Sequence, residues 1–350
     1  MTDRRQSMLI TGGAGFIGAN LADRFLGSGH RVMILDDFSR PGTNRNLDWL
    51  RQHHGDAFAV IRGSITDAAT CESAVADAEV VFHLAGQTAV TTSVTDPRRD
   101  FEINAFGTLN VLEAARTAGH EPIVLYTSTN KVYGGMEEIP VVEQETRYAY
   151  RDLPDGTDEH QPLDFHSPYG CSKGAADQYV RDYARIYGLP TVVFRQSCIY
   201  GPRQMGVEDQ GWVAWFIIAL VSGKPITIYG DGKQVRDLLY IDDLLDAYEL
   251  AVEKIDVTRG QVYNIGGGAA NAMSIWWEFK PLLESALGRE IPDPQFQPTR
   301  PGDQPIFIAD TAKARREFGW TPRVPVPDGV HRLAGWVVAN RDLFDSPVPI

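Results

Sequence analysis

Apolar runs alternate with helical stretches through the first two-thirds of the chain. MLI (8–10), RVMILDD (31–37), FAVIRGSI (58–65), EVVFHLAG (79–86), EPIVLYTST (121–129) and LPTVVFRQS (189–197) read as strands with near-continuous hydrophobic sequence. Continuous rather than alternating runs suit parallel strands covered by helices on both faces. Residues 20–28 and INAFGTLNVLEAARTAG (103–119) keep helical spacing between them. The pattern predicts an α/β protein: a Rossmann-type, doubly wound parallel sheet with a smaller C-terminal α/β substrate domain. The expected division puts residues 1–194, plus about 235–265, in the sheet domain, and 195–234 with 266–350 in the smaller one. WVAWFIIALV (212–221) is too short to span a bilayer and reads as a buried helix. The polar segment 137–166 is long for a connection and reads either as a surface excursion or as a lid.

The first strand runs into a glycine turn, MLITGGAGFIG (8–18), that opens a helix at Phe16 and Ile17. Glycine triplets alone mark tight turns. Here Gly12, Gly15 and Gly18 sit between a strand and a helix, where the backbone can approach a pyrophosphate and aim helix N-terminal amides at it. The second strand ends in Asp36, roughly 20 residues beyond the turn, placed to accept hydrogen bonds from a ribose. An acid there repels a 2′-phosphate, so NAD is expected over NADP.

Charge and cysteines narrow the partners. With 46 acidic against 33 basic residues the chain carries a formal charge of −13, which argues against nucleic acid. MTDRRQS leads directly into the first strand without a signal peptide, and no membrane partner is expected. Cys71, Cys171 and Cys198 have no CxxC spacing and are odd in number, which points to a reducing cytoplasm, and no metal site is expected.

SPYGCSKGAADQYVRDYARIYG (167–188) opens with a Ser-Pro helix start. Tyr169 and Lys173, four apart, share a helix face. An ammonium near a phenol favours the phenolate and lowers a pKa otherwise near ~10, giving a general base for a hydroxyl. Alone, Tyr-x-x-x-Lys is commonly a surface pair; after a series of βα units and a dinucleotide turn it reads as chemistry. Thr129, at the carboxyl end of its strand, can join the same proton path.

TGGAGFIG, HLAG, YTSTNKVYG and YGCSK together resemble the extended short-chain dehydrogenase/reductase family of nucleotide-sugar epimerases and dehydratases. The resemblance continues through ITIYGDGKQVRDLLYIDDL (226–244), NIGGG (264–268) and FIADTAKARREFGWTP (307–322). It implies tightly held, recycled NAD and a catalytic set of Thr129, Tyr169 and Lys173. Further cofactor contacts are implied at Asp37, Ser64, Ile65, Leu84, Ala85, Gly86, Thr127 and Gln196. A nucleoside-diphosphate sugar is implied as substrate, with Arg236 and Arg300 on the diphosphate and Gln87, Asn130, Cys198, Gln204 and Asp303 around it. Homodimers are implied too, through helices at 101–118 and 168–187.

The residues after Thr129 select among reactions. Dehydratases of this family carry Asp-Glu there, and decarboxylating relatives place a Glu nearby. Asn130 and Lys131 cannot serve as those acids, so epimerisation by oxidation and re-reduction is the expected reaction. STNKVYG, DFHSPYGCSKGAADQY, FRQSCIYGPRQ and DQGWVAWF resemble the branch that inverts C2 of CDP-linked sugars. A UDP-sugar 4-epimerase with the same three residues is the rival, and a non-catalytic NAD-binding scaffold the alternative from another class. Cys198 replaces an Asn common in relatives, and Ser64 an Asp, so the sugar and adenine contacts there differ from the family pattern.

Overall fold

The computed structural model describes residues 5–300 and 303–345. Strands β1 (Ser7–Thr11), β2 (Arg31–Asp36), β3 (Phe58–Arg62), β4 (Val80–His83), β5 (Ile123–Thr129) and β6 (Thr191–Gln196) follow the sequence reading closely. With β7 (Cys198–Tyr200), β8 (Val235–Tyr240) and β9 (Gln261–Ile265) they build most of the two larger sheets. The larger is seven-stranded and parallel, in the order β9-β6-β5-β4-β1-β2-β3. Its apolar runs are explained by burial on both faces. Ile10, Phe82, Leu125 and Phe194 enter one core cluster, while their neighbours Leu9, Val81, Val124 and Val193 enter the other.

Five helices position the site and its surroundings: α1 (Phe16–Gly27), α2 (Gly107–Thr117), α3 (Ser167–Tyr187), α4 (Trp212–Val221) and α5 (Ile241–Glu253). Strand order reverses between β1 and β4, which opens a crevice at the carboxyl ends of the strands. A π-turn at Glu102–Phe106 precedes α2 and makes the helix expected over 103–119 irregular at its start.

The smaller sheet is centred on β8, which pairs with β7, with Ala272–Ser274 and with Ile306–Phe307. The sequence division placed 235–240 with the larger sheet. The structure puts it in the smaller one, because β8 finds its hydrogen-bonding partners among C-terminal strands; only β9 of that region extends the larger sheet. Helix α4 is buried along most of its length, as its all-round apolar sequence requires. Segment 137–166 contains an antiparallel hairpin, Val141–Glu143 with Tyr148–Tyr150. It is rooted on the smaller sheet by Tyr148 N donating to Lys233 O (3.0 Å), Tyr150 OH to Ile306 O (3.0 Å) and Thr157 N to Ile308 O (2.8 Å).

Candidate active site

The glycine turn has a shape that side chains would destroy. Gly12 lies at φ +68°, and a Cβ there would meet the Ala85 backbone at 2.8 Å. A Cβ on Gly18 would lie 2.4 Å from the Gly12 carbonyl. The first bond of α1 runs from Ala19 N to Gly15 O (2.9 Å), so Phe16, Ile17 and Gly18 contribute amides without a helical acceptor. Asp36 is buried at the end of β2 and ties the turn in place: its carboxylate accepts from Ala14 N (3.0 Å) and Phe38 N (2.8 Å). Burial pushes its pKa up against these two bonds.

The strand ends line the same crevice. Thr11 Oγ1 meets His83 Nδ1 (2.7 Å) and accepts from Ala85 N (3.2 Å), which sets the turn Leu84–Ala85–Gly86 against β1. Thr127 donates to His83 O (3.2 Å), and Gln196 to Tyr248 OH (2.6 Å). Asp37 is exposed and accepts from Ser39 N (2.9 Å) in its own turn. Ser64 pairs with Thr66 (2.9 Å), and Ile65 packs in the core while its carbonyl accepts from Asn110 (2.9 Å).

Thr129, Tyr169 and Lys173 are all buried. Thr129 ends β5 and caps the short 3-10 turn Asn130–Tyr133, its hydroxyl accepting from Lys131 N (3.2 Å). Tyr169, in the first turn of α3, is pushed up to about 12 by burial, with a hydrogen bond to Thr129 pulling it down and Asp100 adding to the rise. Lys173 Nζ donates to the Thr127 carbonyl (2.5 Å) and lies 4.3 Å over the Tyr126 ring. Burial lowers it to about 7 against the pull of Asp177 and Asp100. The lowered phenol expected from the Tyr-Lys spacing is therefore not what the fold sets up. Burial dominates both groups, and the ammonium is turned to a carbonyl.

Around this pair lies a polar network that spacing in the sequence did not reveal. Ser172 donates to Asp100 (2.5 Å), and Asn104 donates to Asp100 and to Ser172 (3.1 Å each). Asn104 also accepts from Gln87 N (2.9 Å). The π-turn brings Asn104 into this network, and an asparagine near the start of a helix gives no such signal. The Gln87 side chain closes on its own loop through Ala89.

On the facing side, Arg236 donates to Asp303 (2.7 Å) and to Gln304 O (2.7 Å). Lys131 Nζ lies 3.6 Å from the same Asp303 carboxylate. Arg300 pairs with Asp209 (2.7 Å) and stacks 3.7 Å over Tyr229. Cys198 is pushed up by burial, with Arg236 and Lys131 among the groups pulling it back. Gln204 donates to Ile199 O (3.2 Å). The fold thus brings Asn130, Lys131, Cys198, Arg236 and Asp303 toward one side, and Asp303 N donates to Arg300 O (3.2 Å). Among the described residues, no group of three or more His, Cys, Asp or Glu is arranged to hold a metal ion, and no helix is long and apolar enough to cross a membrane.

Residues 9–333 match the family described as GDP-mannose 4,6 dehydratase. The chain belongs to this family of NAD-dependent epimerases and dehydratases. It is 45% identical to the CDP-paratose 2-epimerase of Salmonella typhi, over 94% of this chain and 98% of that one. It is 36% identical to the UDP-glucose 4-epimerase of Mycolicibacterium smegmatis, over 92% and 95%. Among solved structures it superposes with the UDP-glucuronic acid 4-epimerase of Bacillus cereus, in complex with UDP-glucuronic acid and NAD, at a TM-score of 0.80 and 29% identity, covering 95% and 98%. The family's NAD fits the crevice described above: a cradle that a Cβ would fill at Gly12 and Gly18, unbonded helix amides, and a buried carboxylate at Asp36. The family resemblance drawn from the motifs, and the fold it implied, hold.

Proposed function

We propose that the protein is an epimerase of a nucleoside-diphosphate sugar, acting at C2 of a CDP-linked hexose. The observation that carries the reading is the turn after Thr129, where Asn130 and Lys131 stand in place of carboxylic acids. The nearby acids are engaged: Asp303 by Arg236 and Lys131, Asp100 by Ser172 and Asn104. Elimination of water needs an uncommitted acid beside the sugar, whereas epimerisation needs only a hydroxyl proton carrier beside the cofactor. Likeness to the Salmonella typhi CDP-paratose 2-epimerase supports C2 and CDP over the UDP-sugar 4-epimerase reading, which the Mycolicibacterium smegmatis relative keeps as the second choice.

In this reading NAD, held by the glycine turn and Asp36, supplies the hydride acceptor and donor. Tyr169, relayed by Thr129, takes the hydroxyl proton as C2 becomes a ketone and returns it after the ketone has presented its other face. Lys173 fixes the Thr127 strand end beside the phenol. Arg236 and Arg300 hold the diphosphate, exchanging Asp303 and Asp209 for phosphate oxygens. The larger sheet serves as cofactor domain and the β8 sheet as substrate domain. Exposed Phe101, Phe106, Tyr179, Ile186 and Tyr187 suit pairing of two copies through these helices. Three unpaired cysteines suit the cytoplasm.

A CDP-linked 3,6-dideoxyhexose deuterated at C2 is expected to turn over more slowly than its protium form and to keep its label. Deuterium at C4 is expected to leave the rate unchanged. An isotope effect at C4, or a C4-inverted product from a UDP-hexose, sinks the C2 assignment.

A further inference from the structure

We propose that Lys131 is a third cation of the diphosphate site, binding the phosphate attached to the sugar and thereby fixing which sugar carbon meets Thr129 and Tyr169. The inference rests on the nucleoside-diphosphate reading above and adds a contact that the motifs did not assign.

The ion pairs around the site are shared unevenly. Arg236 and Arg300 each already have a carboxylate, Asp303 and Asp209. Lys131 has only a share of Asp303, whose Oδ1 lies 2.7 Å from Arg236 and 3.6 Å from Lys131. Three cations thus pair with two carboxylates, and Lys131 has none of its own; Asp237, also close, is taken up by Ser197 and by the amides of Gly268 and Ala309. Burial and Arg236 both push its pKa down, against Asp303 and Cys198. Holding a half-buried ammonium beside a guanidinium costs free energy unless an anion arrives. A purely structural ion pair needs no second cation on the same carboxylate.

The position of the lysine suits the same role. Lys131 N donates to Thr129 Oγ1, so its backbone is fixed directly beside the reacting hydroxyls. The turn is anchored on both sheets: Tyr133 stacks on Phe307 at 6.0 Å and donates to Asn264 of β9 (2.8 Å), and Phe307 is the register partner of Arg236. The side chain thus runs from the Thr129 end of the site to the Arg236 end. A nucleotide sugar spanning the same interval places its sugar-linked phosphate between them.

Isothermal titration of the NAD-containing protein with CDP and with CMP separates the possibilities. Lys131→Gln is expected to weaken CDP by about 10- to 100-fold, the worth of one charge-assisted hydrogen bond, and CMP by only a few-fold, with Lys131→Arg restoring most of the loss. NAD retained at the wild-type level shows that each variant is folded. CDP affinity of Lys131→Gln within about twofold of wild type, or equal losses for CDP and CMP, overturns the assignment. Wild-type protein that binds neither CDP nor UDP overturns instead the nucleoside-diphosphate reading beneath it.

Discussion

Replacing Lys173 by methionine is expected to abolish turnover and yet to make the fold more stable at neutral pH. The lysine is buried and its pKa falls from 10.5 to about 7. The sign follows from proton counting. Between pH 7 and 10.5 the unfolded chain binds the proton and the folded one does not, so stability rises with pH across that window. Below pH 7 the folded protein must bury the ammonium. Each tenfold loss of proton affinity on folding is worth about 1.4 kcal/mol, so the cost there is roughly 5 kcal/mol. Methionine fills the volume without the charge. Against this gain stands the Thr127 carbonyl, which loses its 2.5 Å donor; the pull of Asp177 and Asp100 is already contained in the shift. That loss is worth about 1–3 kcal/mol, which leaves a net gain of at least about 2 kcal/mol below pH 7.

Urea unfolding of cofactor-stripped protein reads this directly, because bound NAD would otherwise add its own stabilisation. With a slope of about 3 kcal/mol/M, the Lys173→Met midpoint should lie about 0.7 M above wild type at about pH 6.5. By about pH 9.5 most of the burial cost has gone from the wild type, and the two midpoints should converge or cross. A variant less stable than wild type at the lower pH, or a difference that does not change with pH, refutes the reasoning.

The remaining expectations are simpler. Tyr169→Phe should lower turnover by ~10²–10⁴-fold while the purified protein keeps its NAD, checked by kcat and by cofactor release. Extraction of the wild-type protein should yield NAD with at most traces of NADP, because Asp36 lies buried at the end of β2 beside the glycine turn. Asp177→Asn should destabilise by about 3–5 kcal/mol in urea unfolding, since it leaves Arg195, buried and bonded to both Asp177 oxygens, without its counter-charge.

How much the chain discloses by itself depends on whether a property is local. The six strands at 7–11, 31–36, 58–62, 80–83, 123–129 and 191–196 were legible because burial on both faces leaves continuous apolar runs. The glycine turn was legible because Gly12 and Gly18 have no room for a Cβ. β8 was assigned to the other sheet because its hydrogen-bonding partners, at 272–274 and 306–307, lie far along the chain and a six-residue strand carries no label of its sheet. The Asp100–Asn104–Ser172 network was invisible because a π-turn leaves no signature in residue type.

The same distinction governs the chemistry. Four-residue spacing put Tyr169 and Lys173 on one face of α3, but spacing says nothing of how deeply that face is buried. Burial is set by β5, Tyr126 and the Asp100 network, and it moves the two groups in opposite directions, the phenol up and the amine down. At neutral pH the phenol is then held protonated, while Lys173 sits near the midpoint of its titration. If Tyr169 is the base proposed above, positive charge entering beside it, such as the nicotinamide of NAD, favours its phenolate. At the other end, Lys131 shares the Asp303 carboxylate with Arg236 and has none of its own. In the proposed reading, the diphosphate brings its negative charge to Arg236, Arg300 and Lys131, at the end of the site away from Thr129 and Tyr169. In that reading, charge anchors one end of the sugar nucleotide, and burial sets the proton affinities at the other.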